Sequence, residues 1–148
     1  MNLILRLRGE SIDGRHVCCL GSQLARIVTS LMGQLADVSW YIADVEVIGT
    51  SRLAQGQTPQ FVGQSHQFVA LVQDVDQFLR GVFLAVRGGR LQPHFRERID
   101  TEDPVNVDLG DALVEIRAFD TTYFELLTMD SAIAAVGAAG FGVNILSE

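Results

Sequence analysis

The sequence predicts an α+β fold: a mostly antiparallel sheet with about three helices packed on it, in the order β-α-β-α-β-β-β-α-β. Three observations carry this expectation. Two stretches repeat apolar residues at three- and four-residue spacing, "GVFLAV" at 81–86 is an almost uninterrupted apolar strand, and residues 112–128 alternate across a short polar turn as a hairpin does. Strands that follow one another without an intervening helix suit a layered α+β arrangement better than an alternating doubly wound one. The 148 residues contain no internal repeat and no linker. A chain of this length buries about 70% of its unfolded surface, so a single domain over 1–148 is expected.

In chain order, "LILRLRG" alternates imperfectly and reads as a first strand ending at Gly9, and "ESIDGRH" reads as a turn around Asp13-Gly14. Leu24, Ile27, Val28, Leu31 and Leu35 then fall on one helical face, predicting a helix from about Ser22 to Ala36. "SWYIADVEVIG" is rich in β-formers, and its alternation changes phase at Ala43-Asp44, where a bulge is expected. Residues 51–65 show no period and read as a long loop with a short strand at Gln60 to Gly63. Phe68, Leu71, Val72, Val75 and Leu79 restore a helical stripe, with Ser65 as its N-cap.

"GVFLAVRGG", bounded by Gly81 and Gly88-Gly89, suits a central strand. "ALVEIRAF" and "YFELLT" form the hairpin, with Tyr123, Glu125 and Leu127 facing one way and Phe124, Leu126 and Thr128 the other. "MDSAIAAVGAAGFG" is an Ala-rich helix capped by Asp130 or Ser131 and stopped at Gly140, and "FGVNILSE" closes the chain as an edge strand. Leu24, Ile27, Leu31, Phe83 and Ile116 are expected in the core.

Composition narrows the function. Apolar residues make up 48% of the chain and charged residues 20%, which places it among folded proteins. The N-terminal residues show no signal-peptide pattern, with Arg6 and Arg8 interrupting the apolar run, and no segment approaches the length of a membrane span. A cytoplasmic location away from membranes is expected. A net charge of −7 argues against binding nucleic acid, which requires clustered cations, and favours a basic protein as partner. All eleven cations are arginine, so no lysine can form a Schiff base or hold a P-loop phosphate.

The catalytic inventory is thin. His16, Cys18 and Cys19 lie within four positions, but structural zinc needs four ligands from separated pairs, and the other histidines are the distant His66 and His94. Buried small side chains beside a helix start explain the cysteines better, and no metal or other cofactor is expected. No nucleophile-elbow, P-loop, HExxH or dinucleotide motif occurs, and "GGRLQPHF" opens no periodic helix. Asp44 and Glu46 share a strand face, yet a solvated face accounts for them as well as acid–base chemistry does. The expected protein is not an enzyme.

The densest feature is "ERIDTEDPVNVDLGD", residues 97–111, with six carboxylates and one arginine in fifteen positions. It lacks the calcium-loop pattern, and Pro104 interrupts the ligand spacing. It is either a solvated loop or a negative binding surface, since clustered carboxylates speed the capture of basic partners.

The opening "RGESI", the strands "SWYIADVEV" and "GVFLAV", and "FDTTYFELLTMD" followed by a helix and "GF" together span most of the chain. In this order they resemble small bacterial domains of the toxin-immunity type. The most recurrent piece of that resemblance is an Asp-Ser/Thr-x-aromatic-x-Glu/Asp strand entry, matched here by Asp120, Thr121, Tyr123 and Glu125. The resemblance implies a non-catalytic antitoxin that masks the active surface of a basic toxin domain, and it brings no catalytic residues. Partner-binding candidates are Asp100, Glu102, Asp103, Asp108 and Asp111, with the aromatic Trp40, Tyr41 and Tyr123. The alternative is a small-molecule-binding or enzymatic domain whose pocket lies over the sheet, lined by Trp40, Tyr41 and Tyr123.

Overall fold

A computed structural model of the chain describes all residues except 50–52, 54, 55, 89–91 and 148. Loop positions 51, 52, 54 and 55, Gly89 and the central part of "GGRLQPHF" thus lie outside the described residues. The elements are β1 (Leu3–Leu7), α1 (Gly9–Ile12), α2 (Gly21–Ser30), α3 (Met32–Leu35), β2 (Val38–Ile48), β3 (Gln60–Gln64), α4 (Ser65–Gln73), β4 (Gln77–Arg87), β5 (Ala112–Phe119), β6 (Tyr123–Thr128), α5 (Ser131–Phe141) and β7 (Leu146–Ser147). The strands form one antiparallel sheet in the order β3-β2-β4-β5-β6-β1-β7, so the α+β expectation holds. Two single-turn helices, α1 and α3, add to the three expected.

Register divides the sheet into two chemically different faces. Leu5, Leu126, Ile116, Phe83 and Ile42 are successive cross-strand partners over five strands, making one apolar row against which the helices pack. On the other face the corresponding rows are Ile4, Leu127, Glu115, Leu84 and Tyr41, and Arg6, Glu125, Arg117, Val82 and Ala43. Charged pairs therefore lie in the middle of this second face. The segment 92–111 lies over it, burying Ile99 and Leu109 against Ala43, Val82, Leu84 and Leu127.

The helix face is the main core, and all five expected core residues lie in it with at most 1% exposure. Trp40 stacks on Phe68 with ring centroids 4.3 Å apart, and its indole N–H donates to the Ser65 hydroxyl at 2.9 Å. That hydroxyl in turn donates to the Leu35 carbonyl. Helices α2 and α4 approach so closely that a Cβ on Gly21 would lie 2.0 Å from the Val72 carbonyl oxygen, so no larger residue fits there.

Several boundaries move for local physical reasons. The helix predicted from 22 to 36 breaks at Leu31, whose backbone leaves the helical region, and resumes as α3; Leu31 and Leu35 stay buried all the same. Gln64 rather than Ser65 occupies the N-cap of α4, its N–H donating to the Gln67 side chain at 2.8 Å, which frees Ser65 for its buried hydrogen bonds. Helix α4 stops at Gln73, and Leu79 belongs to β4, because Gln77–Arg80 pair with Glu46–Ile48 of the bulged strand. The bulge itself lies where the phase changes, with the register shifting between Ala43 and Glu46 and Asp44 at φ +55. Asp130 caps α5 by accepting from the N–H groups of Ala132 and Ile133. Among the described residues, no helix is long and apolar enough to cross a membrane.

Candidate functional site

The acidic segment is fastened to the sheet by arginines that the sequence pattern does not mark as internal. Arg117 is fully buried in β5, with its Nε donating to Glu115 at 2.6 Å and its terminal nitrogens to the carbonyls of Asp103 and Pro104. Glu115, also fully buried, takes a forked pair of hydrogen bonds from Arg96 at 2.7 and 3.0 Å, and Arg96 reaches on to Asp103 at 2.8 Å. Arg117, Glu115, Arg96 and Asp103 thus form an alternating charge chain from the middle of the sheet to the segment above it. Buried ions are tolerable only when paired and hydrogen-bonded in this way, and removing one partner typically costs about 3–5 kcal/mol.

The electrostatics follow from that pairing. Burial alone would push the Asp103 carboxyl up; the Arg96 hydrogen bond, the Asp100 N–H and the nearby Arg117 charge outweigh it and hold the group below the usual carboxylate range. For Arg96, burial works against the charged form, but Glu115 and Asp103 prevail and raise its pKa.

A second anchor is built on the bulge. Its turn sets the Asp44 carboxylate to accept from Arg80 at 2.9 Å and from the N–H and hydroxyl of Thr101, both at 2.8 Å. Arg80 also reaches Asp100 at 3.2 Å, and Asp100 receives the N–H of Glu102. The side chain of Asn2 donates to the Val105 and Val107 carbonyls, both at 2.8 Å. The segment is therefore held at its start, middle and end.

The predicted site residues separate accordingly. Asp100 and Asp103 are half-buried and committed to Arg80 and Arg96. Asp111 is half-buried and accepts from the His94 N–H. Glu102 and Asp108 are exposed, as is Glu97, which the sequence reading did not single out. Trp40 is at 0% exposure on the helix face, so it cannot touch a partner in this fold and leaves the candidate surface. Its neighbour Tyr41 points to the opposite face, between Phe61 and Phe95 at 5.5 and 5.3 Å. No single pocket over the sheet can be lined by both, because adjacent residues of a strand face opposite ways.

Tyr123 lies three strands from Tyr41, stacked on Phe119 at 5.0 Å, with the guanidinium carbons of Arg6 and Arg8 at 4.8 and 5.4 Å from its ring. Arg6 beside it is itself paired with Glu125 at 2.8 Å, and Phe119 lines a surface cavity together with Asp120, Glu46, Arg80 and Glu102, so Tyr123 lies at the edge of the surface that carries Glu102. Cys18 and Cys19 are buried, and the contact with Cys18 together with burial pushes the Cys19 thiol well up. Among the described residues, no three His, Cys, Asp or Glu side chains gather so that they could hold a metal ion. Comparison with protein-family models, curated proteins and solved structures finds no match for this chain.

Proposed function

We propose that this chain is a non-catalytic bacterial binding protein of the immunity type, which neutralises a cognate toxin by covering the toxin's basic active surface. The observation that supports this reading is the fastening of the acidic segment. Its arginine-paired carboxylates and its apolar side chains turn to the sheet, while Glu97, Glu102 and Asp108 remain exposed. A charged surface already fixed on a sheet loses little conformational entropy when it binds, so more of its interaction energy appears as affinity. The chain's net charge of −7 adds a long-range attraction for a cationic partner and speeds encounter. The protein acts by steric and electrostatic masking and needs no cofactor.

The test is co-expression with the reading frame that precedes the gene for this chain. Growth arrest by that product alone, and its relief when this chain is present, is the expected result. A neighbouring product that is harmless, or whose toxicity the chain leaves unchanged, sinks the proposal.

A further inference from the structure

A groove of about 310 Å³ opens where the end of the acidic segment meets the β6–α5 junction. Its apolar lining comes from Leu109, Ala112, Leu113 and Met129, and it carries two carboxylates, Asp108 and Asp130. Met129 is 68% exposed, so its side chain at the groove is open to solvent. The volume lies at the lower limit of small-ligand sites, roughly 300–1,000 Å³, and suits one long side chain rather than a cofactor.

The carboxylates are held in place, and each keeps one oxygen available. Asp108 Oδ1 accepts from the Gly110 N–H at 2.8 Å, and Asp130 Oδ1 caps α5 through the N–H groups of Ala132 and Ile133 at 2.9 and 3.1 Å. Arg87 approaches Asp130, its Nη2 3.9 Å from Oδ2, beyond hydrogen-bonding distance, on a side chain 72% exposed. Such an exposed pair is worth little and yields readily to a better-placed donor.

Taking the basic-partner reading above as its premise, we propose that this groove seats an arginine side chain of the protein partner. The apolar lining matches the three-carbon stem, and the soft thioether of Met129 adapts to it. The two carboxylates match the charge, and a planar guanidinium spreads five donors over three nitrogens in a fixed fork, whereas an ammonium gathers its three donors on one nitrogen and is more strongly hydrated. A second copy of this chain does not fit the role, because two molecules of charge −7 repel.

The probe is acetyl-Gly-Arg-Gly-amide, titrated into the intact isotope-labelled chain while the Met129 methyl and Gly110 amide resonances are followed. With only three methionines in the sequence, the methyl signal is readily assigned. Saturable shifts at millimolar peptide are expected, absent for the citrulline peptide and at least tenfold weaker for lysine. Asp108→Asn/Asp130→Asn should weaken binding at least tenfold with an unchanged melting temperature, because asparagine keeps an Oδ1 acceptor for each local hydrogen bond while replacing the available Oδ2 with an uncharged NH2 donor. Unsaturable shifts, equal binding of citrulline or lysine, or full binding by the double variant each overturn the proposal. Peptide binding without protection from the neighbouring product would sink the immunity reading alone, and protection without peptide binding would sink the groove alone.

Discussion

Asp103→Ala separates the fastening role of the acidic segment from its surface role. Asp103 accepts one hydrogen bond from the charged Arg96 at 2.8 Å and one from the Asp100 N–H at 3.1 Å. Bonds to charged groups contribute about 1.5–3 kcal/mol and neutral ones about 0.5–1.5, for a gross loss of roughly 2–4.5 kcal/mol. Arg96 keeps its forked bond to Glu115, and the Asp103 side chain is 23% exposed, so water offsets part of the loss. The net cost expected is about 2 kcal/mol, or a fall in Tm of about 4–8 °C for a chain of this size. Urea denaturation at neutral pH, with the slope unchanged, is the assay. Glu102→Ala, at an exposed neighbour, should stay within about 0.5 kcal/mol of the parent. The pH dependence has a definite sign. The folded state holds Asp103 below its ordinary value, so its contribution is complete above the unfolded value of roughly 3.9 and is lost as pH falls through the folded value. The difference between parent and variant should therefore shrink as the pH is lowered below the unfolded value. An unchanged midpoint for Asp103→Ala, or equal losses for Glu102→Ala, would refute the charge chain as a fastening.

Leu31→Ala empties a fully packed position between helix and sheet and should cost about 2–5 kcal/mol in the same denaturation assay. Ser65→Ala leaves the Trp40 indole N–H and the Leu35 carbonyl without their buried partner, and a loss of about 1–3 kcal/mol is expected, read by fluorescence of the single tryptophan. Elemental analysis of the purified chain should find no stoichiometric zinc or iron; one tightly held ion per chain would contradict the reading of Cys18 and Cys19 as buried thiols.

Local signals carried most of the fold. The α2 stripe, the Ala43-Asp44 phase change, the hairpin and the Asp130 cap are each written within a few residues, and each appears where its pattern lies. The end of α4 was not legible, because Val75 and Leu79 continue its helical spacing although β4 has already claimed Leu79 for the sheet. The candidate site was legible only in part. The run of carboxylates is plain in the sequence, but which of them are committed depends on Arg80, Arg96, Arg117 and Asp44, brought together from separate strands. The charges that alternate with apolar residues in "ALVEIRAF" mark it as a hairpin strand and nothing more, and only the segment lying over Glu115 and Arg117 makes their face an interior.

The central claim is that the exposed carboxylates of the fastened segment capture a basic partner. It is tested most directly by the association rate of the chain with the purified product of the preceding reading frame, for the parent and for Glu97→Gln/Glu102→Gln. Both variant sites are exposed and outside the charge chain, so stability should stay within about 0.5 kcal/mol of the parent. The account predicts that the variant associates several-fold more slowly at low salt and that the difference disappears near 1 M, where the Debye length is about 3 Å. Equal rates for parent and variant at low salt would contradict it.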